Sequence, residues 1–523
     1  MMRKVPLTLI AICGVAAAAL PLAAPANATT PAGGSHVGGV TSSPAGQAGI
    51  AWHRCKGKGR RFQCARVAVP LNWHRPAGPQ IKLAVIRYLG SDQRHRIGSM
   101  FVNPGGPGGT SGVDFLKQAG PFLSAWGRGR FNMVSWDPRG NGTSDPVRCF
   151  ASQAAEARFW RGVQIPVTPA QSRAYVPKVR ALARRCGRVS GPLLDNISTA
   201  DTARDLNRLR QLVGDRTLTY IGLSYGSMIG QTYENLFPRR VRAMLLDGIV
   251  DPVEYTASAE RRIINQAEFA DEVFFRQFVG QCQKAGRSGC ALAGHSESVA
   301  RRVARLFAQV RRAPIPAPNA NPPGVLDYSD LLLSTFTPLR IPGDWPKFAR
   351  QLNAAANGDG SALETAARLM RSPAGFAGST VSSAISCLDG SASKPVSAWP
   401  GVMGHLTHVA RLWGPFLGWT VWAPCAANWP GHATERYAGP WNAKTKTPIL
   451  LLSNRHDPAT GYRNALVAQR LLGNAVLLTE NGFGHLTLND PSGCVQKWRI
   501  RYLVHLVTPP RGTVCAANKP PFP

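Results

Sequence analysis

The stretch Leu218-Thr-Tyr-Ile-Gly-Leu-Ser-Tyr-Gly-Ser-Met-Ile-Gly230 decides the fold of this 523-residue chain. It begins as a short apolar run, which predicts a buried strand, and leads into residues 231–237, which predict a helix ending before Pro238. Glycines two residues before and two after a serine permit a turn so tight that the serine lies strained at its apex. Ser224 is therefore a candidate nucleophile; the alternative is a plain turn in which Ser224 caps the helix.

Apolar and amphipathic segments alternate around this turn. Buried or half-buried strands are predicted at residues 66–71, 81–89, 99–102, 133–136 and 243–246, and a helix is predicted at residues 199–213. The first two strands are expected to form an antiparallel pair. Alternation of strands and helices is typical of a mostly parallel sheet, so the sequence predicts the α/β class.

The segment 253–440 has a different pattern, with few strand-like runs, amphipathic helical patches and Pro-rich joints such as Pro314-Ile-Pro-Ala-Pro318. It predicts a mainly helical cap inserted after the strand that follows the nucleophile. Strands resume at residues 448–453 and 475–479, and a closing helix is predicted at 495–506. The predicted domains are a first core part at residues 50–252, the cap at 253–440 and a second core part at 441–516.

Two residues beyond the cap fit the partners that a nucleophilic serine requires. A base must take the hydroxyl proton, and an acid must fix the tautomer of that base. Asp457 follows the strand at 448–453, and His485 follows the strand at 475–479. In α/β-hydrolases the order along the chain is serine, acid, histidine, each at the carboxyl end of a strand. We therefore predict an α/β-hydrolase fold with Ser224, Asp457 and His485 as catalytic residues, and Asp247 as the alternative acid.

The segment Asn103-Pro-Gly-Gly-Pro-Gly-Gly109 follows an early strand, where these enzymes carry an oxyanion loop. Two backbone N–H groups are needed to bind the oxyanion, and we expect them from Gly106 and from Tyr225, the residue after the nucleophile. A phosphate-binding loop is the rival interpretation. No Gly-Lys-Ser/Thr follows, so nucleotide binding is disfavoured and no cofactor is expected.

The first 28 residues have the organisation of a secretory signal peptide. Arg3 and Lys4 precede an apolar run at residues 7–20, and Ala26-Asn-Ala28 offers a cleavage site. Residues 29–49, rich in Gly, Ala, Ser, Thr and Pro, predict a flexible leader. No later apolar run is long enough for a membrane span, so we expect a secreted, extracellular protein.

Ten of the 11 cysteines lie beyond the predicted signal peptide, an even number that favours disulfides over metal thiolates outside the cell. Closeness in sequence permits but does not prove pairing. The proposed pairs are Cys55 with Cys64, Cys149 with Cys186, Cys282 with Cys290, Cys387 with Cys425, and Cys494 with Cys515. No zinc-binding spacing is present, so no metal site is expected.

The formal net charge is +33, with 61 Lys and Arg against 28 Asp and Glu. Such an excess predicts attraction to anionic surfaces, including an anionic cell wall. The basic residues are spread along the sequence, and no basic stripe interleaved with aromatic residues is present. Nucleic-acid recognition is therefore disfavoured, and a solvated basic surface is the simpler interpretation.

Several motifs together resemble one family. They are the 103–109 loop, Asp137-Pro-Arg-Gly-Asn-Gly-Thr-Ser144, the Ser224 turn, Leu246-Asp-Gly-Ile-Val-Asp-Pro252, and the Asp457 and His485 loops. The set resembles the secreted tripeptidyl aminopeptidases of actinomycetes, relatives of the proline iminopeptidases, from about residue 52 to residue 515. Within the insertion only Cys387-Leu-Asp389 and Trp422-Ala-Pro-Cys425 match. The resemblance implies a serine exopeptidase that removes short peptides, often tripeptides, from free amino termini.

An aminopeptidase must also hold the substrate ammonium, which calls for carboxylates in the cleft. The candidates in the insertion are Glu268, Asp271, Glu272 and Asp389. For each of them an ordinary charge on a helix surface, paired with a nearby Arg, is an equally good interpretation.

Two other functions remain open. A secreted esterase or lipase uses the same triad and differs in the cap, and a cell-surface binding module could keep the fold without catalysis. The intact Ser, Asp and His set argues against the binding module.

Overall fold

A computed structural model describes residues 49–523; the predicted signal peptide and all of the predicted leader except Gly49 lie outside the described residues. The described chain contains twelve strands. They are β1 His53–Arg54, β2 Phe62–Pro70, β3 Gln80–Tyr88, β4 Gly98–Asn103, β5 Phe131–Trp136, β6 Leu218–Leu223, β7 Val241–Asp247, β8 Ile315–Ala317, β9 Gly324–Leu326, β10 Ile449–His456, β11 Ala475–Phe483 and β12 Val514–Ala516.

Ten of these strands form one sheet in the order β1-β2-β3-β5-β4-β6-β7-β10-β11-β12. Strands β1, β2 and β3 pair antiparallel, and β3 pairs antiparallel with β5. From β5 to β12 all neighbours are parallel. This is an α/β-hydrolase fold, as the sequence predicts, and parallel pairing brings the carboxyl ends of β4, β6, β7, β10 and β11 to one edge.

Helices cover both faces of the sheet. They are α1 Gly112–Trp126, α2 Gln153–Trp160, α3 Pro169–Ser190, α4 Thr199–Leu212, α5 Tyr225–Leu236, α6 Pro252–Tyr255, α7 Ala259–Glu272, α8 Val279–Gly289, α9 Val299–Arg312, α10 Tyr328–Ser334, α11 Trp345–Ala356, α12 Ser361–Met370, α13 Pro373–Asp389, α14 Trp399–Leu406, α15 Gly414–Phe416, α16 Ala423–Ala426, α17 Tyr462–Leu471 and α18 Gly493–His505. Helices α1 and α18 pack on one face, and α5 packs on β6 with α4 beside it. None of the helices in residues 49–523 is long and apolar enough to cross a membrane.

The chain between β7 and β10 builds the cap. It is mainly helical, with α7 and α8 joined by the π-helical segment Val273–Phe278 and a second π-helical segment at Leu417–Trp422. The Pro-rich segment at residues 314–318 is expected from the sequence to be a joint between helices. It instead contains a short strand, Ile315–Ala317, which pairs antiparallel with Gly324–Leu326. Since β7 and β10 are neighbours in the sheet, with Leu246 opposite Leu451, the cap leaves and re-enters the core between two adjacent strands.

Five disulfides are present, and they join the same pairs that the sequence analysis proposes. Cys55–Cys64 and Cys149–Cys186 lie in the first core part, and Cys282–Cys290 and Cys387–Cys425 lie in the cap. Cys494–Cys515 ties α18 to β12, the edge strand of the sheet. A bridge stabilises mainly by restricting the unfolded chain, so these links support both the core and the inserted segment.

The motif that begins at Asp137 has a structural role. Arg139 is fully buried and forms two parallel hydrogen bonds with Asp205 of α4, at 2.7 and 2.6 Å. The same guanidinium donates to the carbonyl oxygens of Leu71, Asn196 and Pro70. One buried ion pair therefore joins the turn after β2, the loop after β5 and helix α4. The planar guanidinium suits this role because it can bind a carboxylate through two parallel hydrogen bonds.

We predict that Asp205→Asn destabilises the protein strongly. The substitution keeps the size of the side chain but removes the bidentate partner of the buried Arg139 charge and leaves only Asp201, at 3.8 Å, as a counter-ion, a loss of about 3–5 kcal/mol. Denaturant unfolding should therefore show a large fall in the midpoint. The exposed pair of Asp114 with Lys117 offers the control, because Asp114→Asn should change the unfolding free energy by less than about 1 kcal/mol. Equal effects of the two substitutions would contradict this account.

Candidate active site

Ser224 lies at the apex of the turn between β6 and α5, with φ 55° and ψ −123°. A non-glycine residue rarely adopts positive φ, so the surrounding backbone must hold it there. A Cβ at Gly222 would lie 2.3 Å from the Gly226 oxygen, and one at Gly226 would lie 2.6 Å from the Asn103 oxygen. The two glycines are thus required by close packing of the backbone.

The hydrogen bonds of Ser224 distinguish the two interpretations of this turn. Its backbone N–H donates to the backbone carbonyl oxygen of Asp247 at 2.9 Å, and its own carbonyl oxygen accepts from the backbone N–H of Ser227 at 2.8 Å. Its side chain makes no capping hydrogen bond to α5 and lines a large cavity instead. The geometry differs from the plain capped turn and places the hydroxyl where a substrate can reach it.

Asp457 and His485 contact each other directly after the adjacent strands β10 and β11. The imidazole Nδ1 lies 3.0 and 2.9 Å from the two carboxylate oxygens, and both residues are buried. The carboxylate also accepts hydrogen bonds from the backbone N–H groups of Ala459 and Thr460 at 2.8 and 2.9 Å. These contacts fix the carboxylate and orient the ring.

Burial by itself would raise the pKa of Asp457, because it disfavours the charged form. The attraction of His485 and the hydrogen bonds to the carboxylate act in the opposite direction and exceed that effect, so the pKa lies below its usual value. Asp457 is therefore ionised at neutral pH. An ionised acceptor holds the proton of His485 on Nδ1 and leaves Nε2 as the basic nitrogen.

The loop after β7 contacts both the serine turn and the imidazole. Gly248 follows Asp247, the residue whose carbonyl accepts the Ser224 N–H, and a Cβ on Gly248 would lie 3.3 Å from His485 Cε1. Among residues 49–523, the Ser224 hydroxyl and His485 Nε2 make no hydrogen bond to each other. Contacts of this kind often shorten only when substrate is bound.

The alternative acid, Asp247, is engaged elsewhere. Its two carboxylate oxygens accept hydrogen bonds from the backbone and the hydroxyl of Thr487 at 2.9 and 2.7 Å. Arg499 donates to the same hydroxyl at 2.8 Å and lies 3.6 Å from the carboxylate. Asp247 thus supports the loop that carries His485 and does not contact the imidazole, whereas Asp457 does.

The 103–109 loop lies against the serine turn. A Cβ on Gly105 would lie 2.9 Å from Ser224 Cβ and 3.0 Å from the Tyr225 nitrogen. The Gly105 N–H donates to the Asn103 side chain at 2.9 Å and is therefore occupied. Tyr225 is the first residue of α5, so its N–H has no acceptor within the helix. Gly106 and Tyr225 both line the cavity beside Ser224.

The cavity at Ser224 has a volume of ≈ 160 Å³ and is lined by both the core and the cap. The core contributes the 106–110 loop, Ser224 and Thr460, and the cap contributes apolar side chains that include Phe336, Met370, Trp413, Phe416 and Trp422. Among the described residues that line it, Arg340 is the one charged side chain, and no carboxylate is present. The cavity therefore suits an apolar or neutral group next to the serine.

The four carboxylates proposed as amine ligands lie elsewhere. Asp271 accepts hydrogen bonds from the backbone N–H groups of Arg411 and Leu412, each at 2.9 Å, and Asp389 accepts from the backbone and hydroxyl of Thr199. Glu268 pairs with Arg463, and Glu272 accepts from Gln277 at 2.9 Å. None of the four lines the cavity at Ser224. They act as structural groups of the cap.

A small recess adjoins the cavity and does contain carboxylates. Val250, Tyr255, Gln266, Ala459 and Thr460 line both spaces, and the recess adds Asp251, Glu254 and the buried guanidinium of Arg262. Its volume is ≈ 10 Å³, about the space of one water molecule. Asp251 Oδ1 accepts from the backbone of α6, at 2.9 and 3.1 Å, and Glu254 pairs with Arg261 through Oε1. The second oxygen of each carboxylate makes no hydrogen bond within residues 49–523.

Two further residues, Thr460 and Asn454, support the Asp457–His485 pair, and the sequence pattern does not single them out. The Thr460 hydroxyl donates to Asp457 at 2.9 Å and lies 3.3 Å from His485 Nδ1. The buried amide of Asn454 donates to the carbonyl oxygens of Phe483, Gly484 and Leu486 at 2.8–3.0 Å. Thr460 could have been found from the Asp-Pro-Ala-Thr turn, in which a carboxylate accepts local backbone donors. The contact of Asn454 depends on the pairing of β10 with β11.

Comparison with known proteins identifies two family models along the chain. A model described as alpha/beta hydrolase fold matches residues 98–327, and one described as TAP-like protein matches residues 410–515. The two matched segments contain Ser224 and the Asp457–His485 pair, respectively.

Curated relatives cover nearly the whole chain. A protein of Mycobacterium tuberculosis named carboxylesterase B is 31% identical over an alignment of 537 positions that covers 99% of each chain. The serine protease Hip1 of the same species is 29% identical, over 89% of this chain and 91% of the relative. A tripeptidyl aminopeptidase of Streptomyces coelicolor is 28% identical, over 92% of this chain and 89% of the relative. The relatives carry peptidase and esterase names alike.

Proposed function

Because the chain belongs to the TAP-like α/β-hydrolases and is a serine hydrolase, we propose that it is a secreted exopeptidase that releases tripeptides from free amino termini. Ser224 acts as the nucleophile, His485 as the base and Asp457 as the residue that orients and stabilises the imidazole. The observation that carries the proposal is the direct contact of Asp457 with His485 beside the strained Ser224 turn.

The reaction proceeds through an acyl-enzyme. His485 Nε2 takes the proton of the Ser224 hydroxyl while the oxygen attacks the scissile carbonyl, and the backbone N–H groups of Gly106 and Tyr225 bind the resulting oxyanion. The imidazolium then protonates the leaving amine. Water, deprotonated by the same imidazole, releases the peptide acid and restores the serine.

The recess supports a preference for a free amino terminus. An ammonium group has nearly the size of a water molecule, and the two carboxylates that line the recess, Asp251 and Glu254, outnumber its one cation, Arg262. A peptide whose scissile carbonyl lies at Ser224 would place its terminal ammonium in that recess and its side chains under the apolar cap. The cap would thereby limit the length of the released peptide.

Export through the amino-terminal signal is part of the proposal. Five disulfides in the described residues are typical of proteins that fold in an oxidising compartment, and the resemblance is to secreted enzymes. The excess positive charge would favour retention at an anionic cell wall.

An esterase is the second candidate, and a specific observation favours it. Apart from Arg340, the cavity next to Ser224 is lined by apolar and polar uncharged groups without a carboxylate, which suits an uncharged acyl chain. One relative that matches the full chain is named carboxylesterase B. Hydrolysis of p-nitrophenyl esters without hydrolysis of peptide anilides would favour this candidate over the exopeptidase.

We predict that Ser224→Ala and His485→Ala each abolish hydrolysis, with losses on the order of 10⁶-fold in kcat, because the three residues act as a unit. Asp457→Asn should lower kcat by about 10⁴-fold, since the amide favours the wrong tautomer. Asp247→Asn is the matched control. It should keep most of the parent kcat when the rate is expressed per folded molecule. Full activity in Asp457→Asn together with loss in Asp247→Asn would show that the acid is Asp247.

We predict that tripeptide anilides with a free amino terminus are cleaved about a hundredfold faster, in kcat/KM, than the same peptides with an acetylated terminus. Acetylation removes the ammonium that Asp251 and Glu254 would bind, and a hundredfold change in kcat/KM corresponds to about 2.7 kcal/mol. Glu254→Gln should weaken this discrimination by about tenfold. Glu268→Gln, which removes an Arg-paired carboxylate outside both cavities, should leave it unchanged. Comparable rates on both substrates would contradict the exopeptidase.

A further inference from the structure

The edge of the sheet opposite to Ser224 is strongly basic. Ser224 follows the carboxyl end of β6, so the segments that precede β4, β5 and β6 lie at the other edge. These segments contain Arg94 and Arg96 before β4, Arg128 and Arg130 before β5, and Arg216 before β6. Parallel pairing of the three strands therefore collects arginines that are more than a hundred residues apart in sequence.

The loop between β1 and β2 adds to the same edge. It reads Arg54-Cys-Lys-Gly-Lys-Gly-Arg-Arg61 and contains five cations and no acidic residue. Phe62, which follows the loop, pairs with Tyr88, and Tyr88 pairs with Met133 near the amino end of β5. The Cys55–Cys64 disulfide closes the loop, so its cations stay close together.

Direct hydrogen bonds connect these segments into one surface. The backbone N–H of Leu89 donates to Arg61 O at 2.9 Å, and that of Asp92 donates to Gly129 O at 3.0 Å. The Ile97 N–H donates to Arg130 O at 2.8 Å. The Ser99 N–H donates to the Asp215 carboxylate at 2.8 Å, which joins the segment before β6. The amino-end patch is defined by Arg54, Lys56, Lys58, Arg60, Arg61, Arg94, Arg96, Arg128, Arg130 and Arg216.

The charge of the amino-end patch is poorly compensated. Its segments carry ten cations and two carboxylates, Asp92 and Asp215. Eight of the ten cations are exposed, the other two are half-buried, and within residues 49–523 none of the ten forms an ion pair. Cations after a helix can serve to stabilise its carboxyl end, which accounts for Arg128 after α1 and Arg216 after α4. The 54–61 loop follows no helix among the described residues, so that explanation does not extend to it.

We propose that the amino-end patch binds a linear polyanion with closely spaced phosphate groups. Eight of its ten cations are arginines, and the planar guanidinium binds phosphate oxygens in pairs. The patch has no aromatic member, and the nearby Trp52 ring is covered by Arg87 at 4.4 Å. The patch therefore has no aromatic ring on which nucleic-acid bases could stack, and it recognises the charge density along a polymer.

The position of the patch has a functional consequence. A polymer at the amino-end patch lies across the sheet from the cavity, so binding there leaves the entrance to Ser224 open. The protein can thus be held on an anionic matrix and still hydrolyse substrates. This role is independent of whether the substrate is a peptide or an ester.

The test compares two variants with the same loss of charge. The patch variant carries Lys56→Gln, Lys58→Gln, Arg60→Gln, Arg94→Gln and Arg96→Gln. The control variant carries Arg173→Gln, Arg180→Gln, Arg184→Gln, Arg188→Gln and Arg301→Gln, all exposed cations on α3 and α9 without ion pairs among the described residues. Binding to long-chain polyphosphate is measured as a function of salt concentration, together with hydrolysis of a p-nitrophenyl ester and with circular dichroism.

The patch variant should bind polyphosphate on the order of a hundredfold or more weaker than the parent at about 0.1 M salt, and the slope of log K against log salt should fall by about four. The control variant should bind within about threefold of the parent, and both variants should keep the parent ester activity. Equal losses in the two variants would show that net charge alone is responsible and would overturn the proposal. It would also be overturned by a parent protein that fails to bind polyphosphate, or that binds duplex DNA at least tenfold more tightly.

Discussion

The backbone conformation of Ser224 is the constraint on which the rest of the site depends. Positive φ at a serine costs about 1–3 kcal/mol. The conformation persists because packing of the strand, the helix and the neighbouring loop constrains the backbone at Ser224. The glycines at 222 and 226 allow backbone contacts that a Cβ would prevent, and Gly105 packs against the serine itself. The result is a hydroxyl at the carboxyl edge of the sheet, the same edge at which the Asp457–His485 pair follows two adjacent strands.

The cap lines the cavity at Ser224 and also helps to position the residues around the serine. Helix α13 contacts the 103–109 loop, since the Ser382 hydroxyl donates to the Pro107 carbonyl. At the end of the same helix, Asp389 accepts from Thr199, whose hydroxyl lies 2.6 Å from that of Tyr225. Both peptide segments that would bind the oxyanion are thus held by one helix of the insertion. Movements of the cap would therefore alter both access to the cavity and the alignment of the donors.

The local pattern of the sequence was sufficient for the Ser224 turn, the existence of the central strands, and the positions of Asp457 and His485 after two of them, because strand ends and tight turns are encoded by neighbouring residues. Tertiary contacts decided the rest. Asp271 and Asp389 have the right charge for an amine site, but their oxygens are occupied by donors distant in sequence. The basic residues look scattered along the chain and become one surface only through the strand order, which periodicity does not specify.

Labelling with a fluorophosphonate tests the central claim most directly, because such a probe reacts with a serine only when a neighbouring base activates it and an oxyanion site binds the product. The labelled protein is digested, and the modified residue is located by mass spectrometry. The account predicts a single adduct on Ser224, at full stoichiometry in the parent protein and absent from His485→Ala. An adduct on another serine, or an unmodified Ser224 in folded protein, would contradict it.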